Sequence, residues 1–183
     1  MAKVLIMTGD AVEALEVFYP YYRLIEEGHE VVIAAPTKKK LKTVVHDFEP
    51  EVETFTEKWA YGLDAHTSFD EVNPAEYDGL IIPGGRAPEH IRMHEKAPDL
   101  IRHFFEENKP VGAICHAALV FAVVPDVVKG REMTAFTACR PEVESYGAIF
   151  VTDPLHVEGN LVSGHAWPDL PGFTKSFLQL LSR

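Results

Sequence analysis

Short apolar runs alternate with amphipathic stretches along this chain, the pattern of a parallel sheet wrapped by helices. Residues 3–8 contain the unbroken run Val4-Leu5-Ile6-Met7 and read as a buried strand. Over residues 13–27, Leu15, Phe18, Tyr22, Leu24 and Ile25 recur at helical spacing. That helix closes at Gly28 and carries Pro20 inside, which predicts a kink. Residues 30–35, 79–83 and 111–115 are three further buried strands. Residues 97–108, with Pro98 in the first turn, and 116–123, directly after the fourth strand, are predicted helices.

The remainder is less regular. Residues 38–72 lack helical periodicity but hold Val44, Val45, Val52, Thr54, Phe55 and Thr56, so a small β excursion is expected. Residues 132–136 and 149–151 are short strand candidates, and 156–158 with 161–164 flank Gly159-Asn160 as a hairpin. Pro141 begins a helix after Cys139, and a last helix spans 171–181. With no repeat, low-complexity tract or linker, residues 1–183 read as one α/β domain. The expected fold is a doubly wound, mostly parallel sheet with helices on both faces.

Composition narrows the partners. Lys+Arg 17 against Asp+Glu 28 leaves a net charge of −11, which argues against nucleic acid or an anionic membrane. The four-residue apolar run near the N-terminus is shorter than the ~7–15 residues of a secretory signal core. Nothing approaches the ~18 apolar residues of a membrane span. Two cysteines cannot form a disulfide framework and suit a reducing compartment, so a cytoplasmic location is expected.

In open α/β sheets ligands bind beyond the carboxyl ends of the strands, which directs attention to the residues just after each one. Cys115 stands where an apolar strand turns straight into a helix, with small residues two positions either side. This is a nucleophile elbow with Cys in the place of Ser. A helix N-terminus there would favour the thiolate, so a lowered pKa is expected. The competing reading is a buried core cysteine. Cys139 reads as a partly exposed loop thiol. Glu16 lies beside the tip of the first strand, where a carboxyl near a thiolate would have a raised pKa and shuttle protons. Glu13, one turn away, reads as a dipole partner or solvated side chain. The Pro83-Gly84-Gly85 turn, with the N–H of His116, can form an oxyanion hole. Gly9 stands alone after the first strand, so no dinucleotide fingerprint is present. His90 and His94 share a spacing suited to zinc but lack a clear third ligand, and no metal is expected. The run Lys38-Lys39-Lys40-Leu41-Lys42 reads as a solvated loop.

Together these segments resemble the ThiJ/PfpI superfamily, related to class I glutamine amidotransferase domains. The resemblance rests on V-F-Y-P-Y-Y-R-L-I-E-E-G at 17–28, D-G-L-I-I-P-G-G-R-A-P-E at 78–89, K-P-V-G-A-I-C-H at 109–116 and K-G-R at 129–131. T-V-V-H-D-F-E at 43–49, T-E-K at 56–58 and V-S-G-H-A-W-P at 162–168 look closest to plant-type glutathione-independent glyoxalases, which are tandem fusions. The resemblance implies a flavodoxin-like fold, Cys115 as nucleophile and Glu16 as the carboxyl that moves protons. It also implies Gly85 as an oxyanion amide, His116 as the peptidase branch's histidine, and Glu89 as an acidic residue completing that branch's site from a neighbouring subunit. Relatives usually read C-H-G, whereas Ala117 stands here. The implied activity is a glyoxalase III-type, cofactor-free detoxification of methylglyoxal or glyoxal, with deglycation as the same chemistry. The alternatives are a cysteine peptidase (a hydrolase rather than a lyase) and a non-enzymatic oxidative-stress sensor or chaperone. Apolar and aromatic residues near Phe18, Tyr19, Tyr21 and Tyr22 exceed what one helix face buries, so a homodimer or higher homo-oligomer is expected.

Overall fold

The computed structural model describes residues 1–183. In chain order the elements are β1 (Lys3–Met7), β2 (Val12–Glu13), α1 (Ala14–Glu26), β3 (Glu30–Ala35), β4 (Lys40–Asp47), β5 (Thr56–Asp64) and β6 (Thr67–Ser68). They continue as β7 (Gly79–Ile82), α2 (Ala87–Ile91), α3 (Ala97–Glu106), β8 (Val111–Ile114), α4 (Pro125–Val128) and β9 (Glu132–Met133). The last are α5 (Arg140–Ser145), β10 (Ile149–Phe150), β11 (Leu155–Glu158), β12 (Leu161–Gly164) and α6 (Leu170–Leu181).

Seven strands form the main sheet in the order β11-β12-β8-β7-β1-β3-β6. All neighbours run parallel except the β11–β12 hairpin. From β1 the chain first builds outward through β3 and β6, then returns to build the other way through β7 and β8. The strand order therefore reverses between β1 and β7, where a doubly wound sheet opens a crevice at its carboxyl edge. Strand alternation divides the core: Leu5 and Met7 of β1 face a cluster with Phe104 and Phe121, while Val4 and Ile6 face one with Phe173 and Phe177. The apolar stripe of α3 (Leu100, Ile101, Phe104, Phe105) covers the first face, and α1 with α6 covers the second. No helix is long and apolar enough to cross a membrane.

Three local expectations are refined. The helix expected over 116–123 forms as a 3-10 helix, Cys115–Val123. It is apolar on every side, so packing against its surroundings rather than an amphipathic stripe sets its path. The strand expected over 132–136 stops at Met133, because Thr134 N–H donates to Ser163 Oγ at 3.0 Å and Phe136 N–H donates to the Cys115 carbonyl at 3.2 Å. Those amides satisfy themselves outside a ladder. The lysine run is a solvated loop only in its first half: Lys38 and Lys39 are exposed in a loop, with Lys39 paired to Asp10, whereas Lys40 opens β4, Leu41 is buried, and the exposed Lys42 lies 5.5 Å from the Trp59 ring centre. The β excursion forms as expected, with β4 antiparallel to β5 and parallel to β2.

Candidate active site

The turn after β8 holds Cys115 at φ 60°, a left-handed conformation that costs a non-glycine residue about 1–2 kcal/mol. The strand before it is locked between β7 and β12, which holds the elbow in place. Across the crevice Gly84 makes the close approach possible. A Cβ on Gly84 would lie 2.6 Å from Glu16 Oε2, 2.7 Å from Cys115 Cβ and 2.9 Å from the His116 nitrogen. The next residue, Gly85, takes φ 74°, and its amide and that of His116 lie close enough to the Cys115 sulfur to favour its charged form. These are the two amides expected of an oxyanion hole. Gly84, part of the same turn, is committed elsewhere: its N–H donates to Glu16 Oε2 at 2.8 Å.

Glu16 is fully buried on the first turn of α1. Its Oε1 has no well-formed hydrogen bond, and the Cys115 thiol is the polar group beside the carboxyl. Burial pushes the Glu16 pKa up to about 8, and the neighbouring charge of Glu13 adds to it. Burial likewise pushes the Cys115 thiol well above its ordinary value, with the Glu16 charge adding; the Gly85 and His116 amides pull the other way. This reverses the lowered pKa expected from the elbow. Cys115 is only 3% exposed, so solvent exclusion and the adjacent carboxyl outweigh a short 3-10 helix. Thiol and carboxyl thus form a pair whose protons are held jointly.

The raised Glu16 pKa has a stability consequence. The unfolded carboxyl titrates at ~4.3, so native Glu16 binds a proton that the unfolded chain releases. Its contribution is complete below the unfolded value and is lost as pH rises through about 8. Urea midpoints should therefore fall between pH ~5 and pH ~8, and Glu16→Gln should fall less over the same interval. Equal slopes in the two proteins would contradict the burial of a protonated carboxyl.

His116 places Nδ1 3.2 Å from Cys115 Sγ and stacks on Phe136 with ring centres 5.0 Å apart. Burial lowers its pKa, and the charge of His46 lowers it further. Glu89 is not brought to this group: it sits exposed on α2 and makes no side-chain hydrogen bond within the chain. Glu13 is not solvated. It is 1% exposed, and its carboxyl caps α1 by accepting from the Glu16 N–H at 2.9 Å. Cys139 is no exposed loop thiol either; it is 2% exposed, and burial pushes its pKa up to about 12. His90 is exposed, His94 packs edge-on against Phe69, and no group of three metal-ligating side chains forms around them.

The hairpin of β4 and β5 covers the site with residues that the sequence did not assign to it. Phe55 packs 5.8 Å from both His116 and Phe136, and Phe48 stacks on Trp167 at 5.6 Å. His165 stands 5.4 Å from Phe136 and pairs through Nδ1 with the Ala135 carbonyl at 3.0 Å. His46 Nε2 lies 2.9 Å from Glu57 Oε2. Arg86 donates to both Glu57 oxygens, with contacts of 2.7 to 3.0 Å. That guanidinium holds the Glu57 pKa down at about 2. The signal was in the blocks at 43–49, 56–58 and 162–168, which contain His46, Glu57 and His165. A cavity of about 870 Å³ between Met1, His29, Asp78 and Lys109 lies at the opposite end of the strands and meets none of these groups.

A flavodoxin-like sheet carrying a buried cysteine elbow beside its switch point defines the class, and the chain as a whole places itself within it. This chain belongs to the DJ-1/PfpI family, whose model matches residues 2–180. It is 38% identical over 179 residues to Deglycase PfpI of Pyrococcus furiosus, covering 98% of this chain and 99% of that protein. It is 36% identical over 186 residues to Protein DJ-1 homolog D of Arabidopsis thaliana, covering 98% of this chain but 47% of that protein. Among solved structures it resembles a two-domain protein of Anabaena variabilis with DJ-1/ThiJ/PfpI-like and ferritin-like domains, at a TM-score of 0.85 and 28% identity. That alignment spans 100% of this chain and 48% of the longer one, so the chain is about half its length.

Proposed function

We propose that this protein is a cofactor-free, glyoxalase III-type enzyme that converts methylglyoxal or glyoxal to the hydroxy acid through Cys115. The observation that carries the reading is the pairing of the Cys115 sulfur with a fully buried, protonated Glu16 whose Oε1 is left free. In the state with one proton shared, the thiolate adds to the aldehyde carbon and Glu16 protonates the alkoxide, giving a hemithioacetal. The amides of Gly85 and His116 stabilise charge on that oxygen. Glu16, now a carboxylate, takes the proton from the former aldehyde carbon and delivers it to the neighbouring carbonyl carbon through an enediol. One carbon is oxidised to a thioester and the other reduced to an alcohol, so no external redox partner is needed. Water then cleaves the thioester to lactate or glycolate and frees the thiol.

Deglycation, the activity in the names of several relatives, applies the same addition and relay to the early adduct of an aldehyde with an amine. A peptidase reading fits less well. His116 faces the sulfur, but no carboxylate within the chain hydrogen-bonds to it, and Cys115 is only 3% exposed, which disfavours attack on a bulky peptide. The test is methylglyoxal loss and lactate formation without glutathione, compared with Cys115→Ala. Failure of the wild-type protein to form lactate would remove the glyoxalase reading, and peroxide sensing at Cys115 would then become the one to pursue.

Self-association belongs to the same proposal. Leu15, Tyr19, Tyr22 and Ile25 of α1 are exposed together with Trp59 and Tyr61 of β5, an apolar patch that a second copy can cover. The unpartnered Glu89 is available to a neighbouring subunit. Light scattering at low micromolar concentration should report a dimer or higher multiple. A fully active monomer would refute a shared site while leaving Cys115 and Glu16 in place.

A further inference from the structure

The mechanism uses Glu16 but leaves a second buried carboxyl one turn away without a task. Glu13 is 1% exposed, and placing two carboxylates this close in a solvent-excluded space is strongly unfavourable. Something must decide which of the two carries the charge. The hairpin supplies it. Parallel pairing of β2 with β4 sets Glu13 opposite Val44, and His46 lies two residues further along β4 on the same face. The His46 side chain is 4% exposed. Its Nε2 meets Glu57 at 2.9 Å directly across the hairpin, and because Arg86 keeps Glu57 ionised, that nitrogen carries hydrogen and donates. The tautomer and position of the ring are thus fixed by groups outside the reaction.

We propose that His46, pinned by Glu57 and Arg86, is a positioning residue of the Cys115 site: it holds the negative charge on Glu13, and the charged Glu13 keeps the proton on Glu16. The inference rests on the proton-relay role proposed for Glu16. Burial raises the Glu13 pKa above its ordinary value, and the Glu16 amide it caps, the electrostatic effect of His46 and further backbone amides work against that rise and favour the charged form. The charge of Glu13 is in turn the second cause, after burial, of the raised Glu16 pKa. The titratable and charged groups around the ring are Glu13 from β2, Glu57 from β5 with Arg86 behind it, and His116 after β8, while Glu16 lies beyond Glu13. A merely structural histidine would tether the hairpin through Glu57 and leave the ionisation of Glu16 alone.

The test is the pH dependence of methylglyoxal kcat/KM, and in parallel of iodoacetamide labelling at Cys115. Both are read in wild type, His46→Gln, His46→Asn, Glu13→Gln and the Glu13→Gln/His46→Gln double variant. Glutamine at this position preserves a donor toward Glu57 and asparagine does not, so two neutral replacements guard against one that fails to fold. Without the imidazole Glu13 takes up a proton, and Glu16 then loses its own more easily. The limb on which Glu16 deprotonates should move to lower pH by about one unit in His46→Gln and in Glu13→Gln. The double variant should move no further than either single one. A uniform fall in rate with an unmoved limb would overturn the proposal, as would a His46→Gln shift that persists in full on the Glu13→Gln background. If the wild-type protein turns over no aldehyde, the glyoxalase reading fails by itself, and the labelling profile decides the role of His46 by the same criteria.

Discussion

Glu16→Gln is expected to lower aldehyde turnover on the order of 10²–10⁴-fold while leaving the protein folded. The native side chain is buried and protonated near neutral pH, so glutamine replaces it with a neutral group of the same shape. The carbonyl oxygen of the introduced amide can still accept from the Gly84 N–H, the hydrogen bond that joins α1 to the turn after β7. What the amide cannot do is give a proton to the hemithioacetal oxygen and take one from carbon. KM should change far less than kcat, because Glu16 is called on during proton transfer rather than on binding. Lactate production within a few-fold of wild type would remove Glu16 from the mechanism, whatever Cys115→Ala shows.

Gly85→Ala should produce the largest loss of stability of any single methyl addition near the site. A Cβ there would lie 2.4 Å from the Ala11 carbonyl oxygen and 2.4 Å from the Glu13 nitrogen, both backbone atoms that cannot rotate away. The φ of 74° adds the left-handed strain of a side chain. The turn is clasped to this segment by Arg86 N–H donating to Ala11 O at 2.9 Å and by the bridge between Val12 and Gly85. Relief therefore means parting the turn from β2, which also carries the Gly85 amide away from the Cys115 sulfur. The expected cost is about 3 kcal/mol or more by urea denaturation, with loss of turnover in the fraction that still folds. Gly28→Ala is the control. It has a similar φ of 81° but no atom within 4 Å of the added carbon, so it should cost only about 1–2 kcal/mol and spare activity. Equal costs at the two positions would mean that backbone conformation alone, and not the clasp by β2, holds the turn.

The central strands β1, β3, β7 and β8, the long helices and the positions of Cys115 and Glu16 could be read from the chain itself. Val4-Leu5-Ile6-Met7 is buried on both faces, so it carries no polar alternation, and that is how a central parallel strand reads. The elbow was legible because a strand that ends in Cys between small residues has few other uses for them. Glu16 was legible because its helix begins where β1 ends, and chain connectivity alone brings it to the sheet's edge. All of this follows from periodicity and short-range geometry, which depend on residues a few positions apart.

The state of the site depends on groups that meet only after folding. Cys115 is buried rather than presented to solvent, with Phe55 and Phe136 packed on the neighbouring His116, and with Glu16 beside it the thiol is pushed up where the elbow alone suggested it would come down. Cys139 is buried rather than exposed, and Glu13 is a buried cap rather than a solvated side chain. His46, Glu57 and Arg86 make one chain of contacts although they come from β4, β5 and the turn after β7, which are far apart in sequence. Pattern along a sequence says which face of an element turns inward. Desolvation and charge pairing are sums over everything that faces a group, and those sums come into existence only when the sheet, the helices and the hairpin have closed around it.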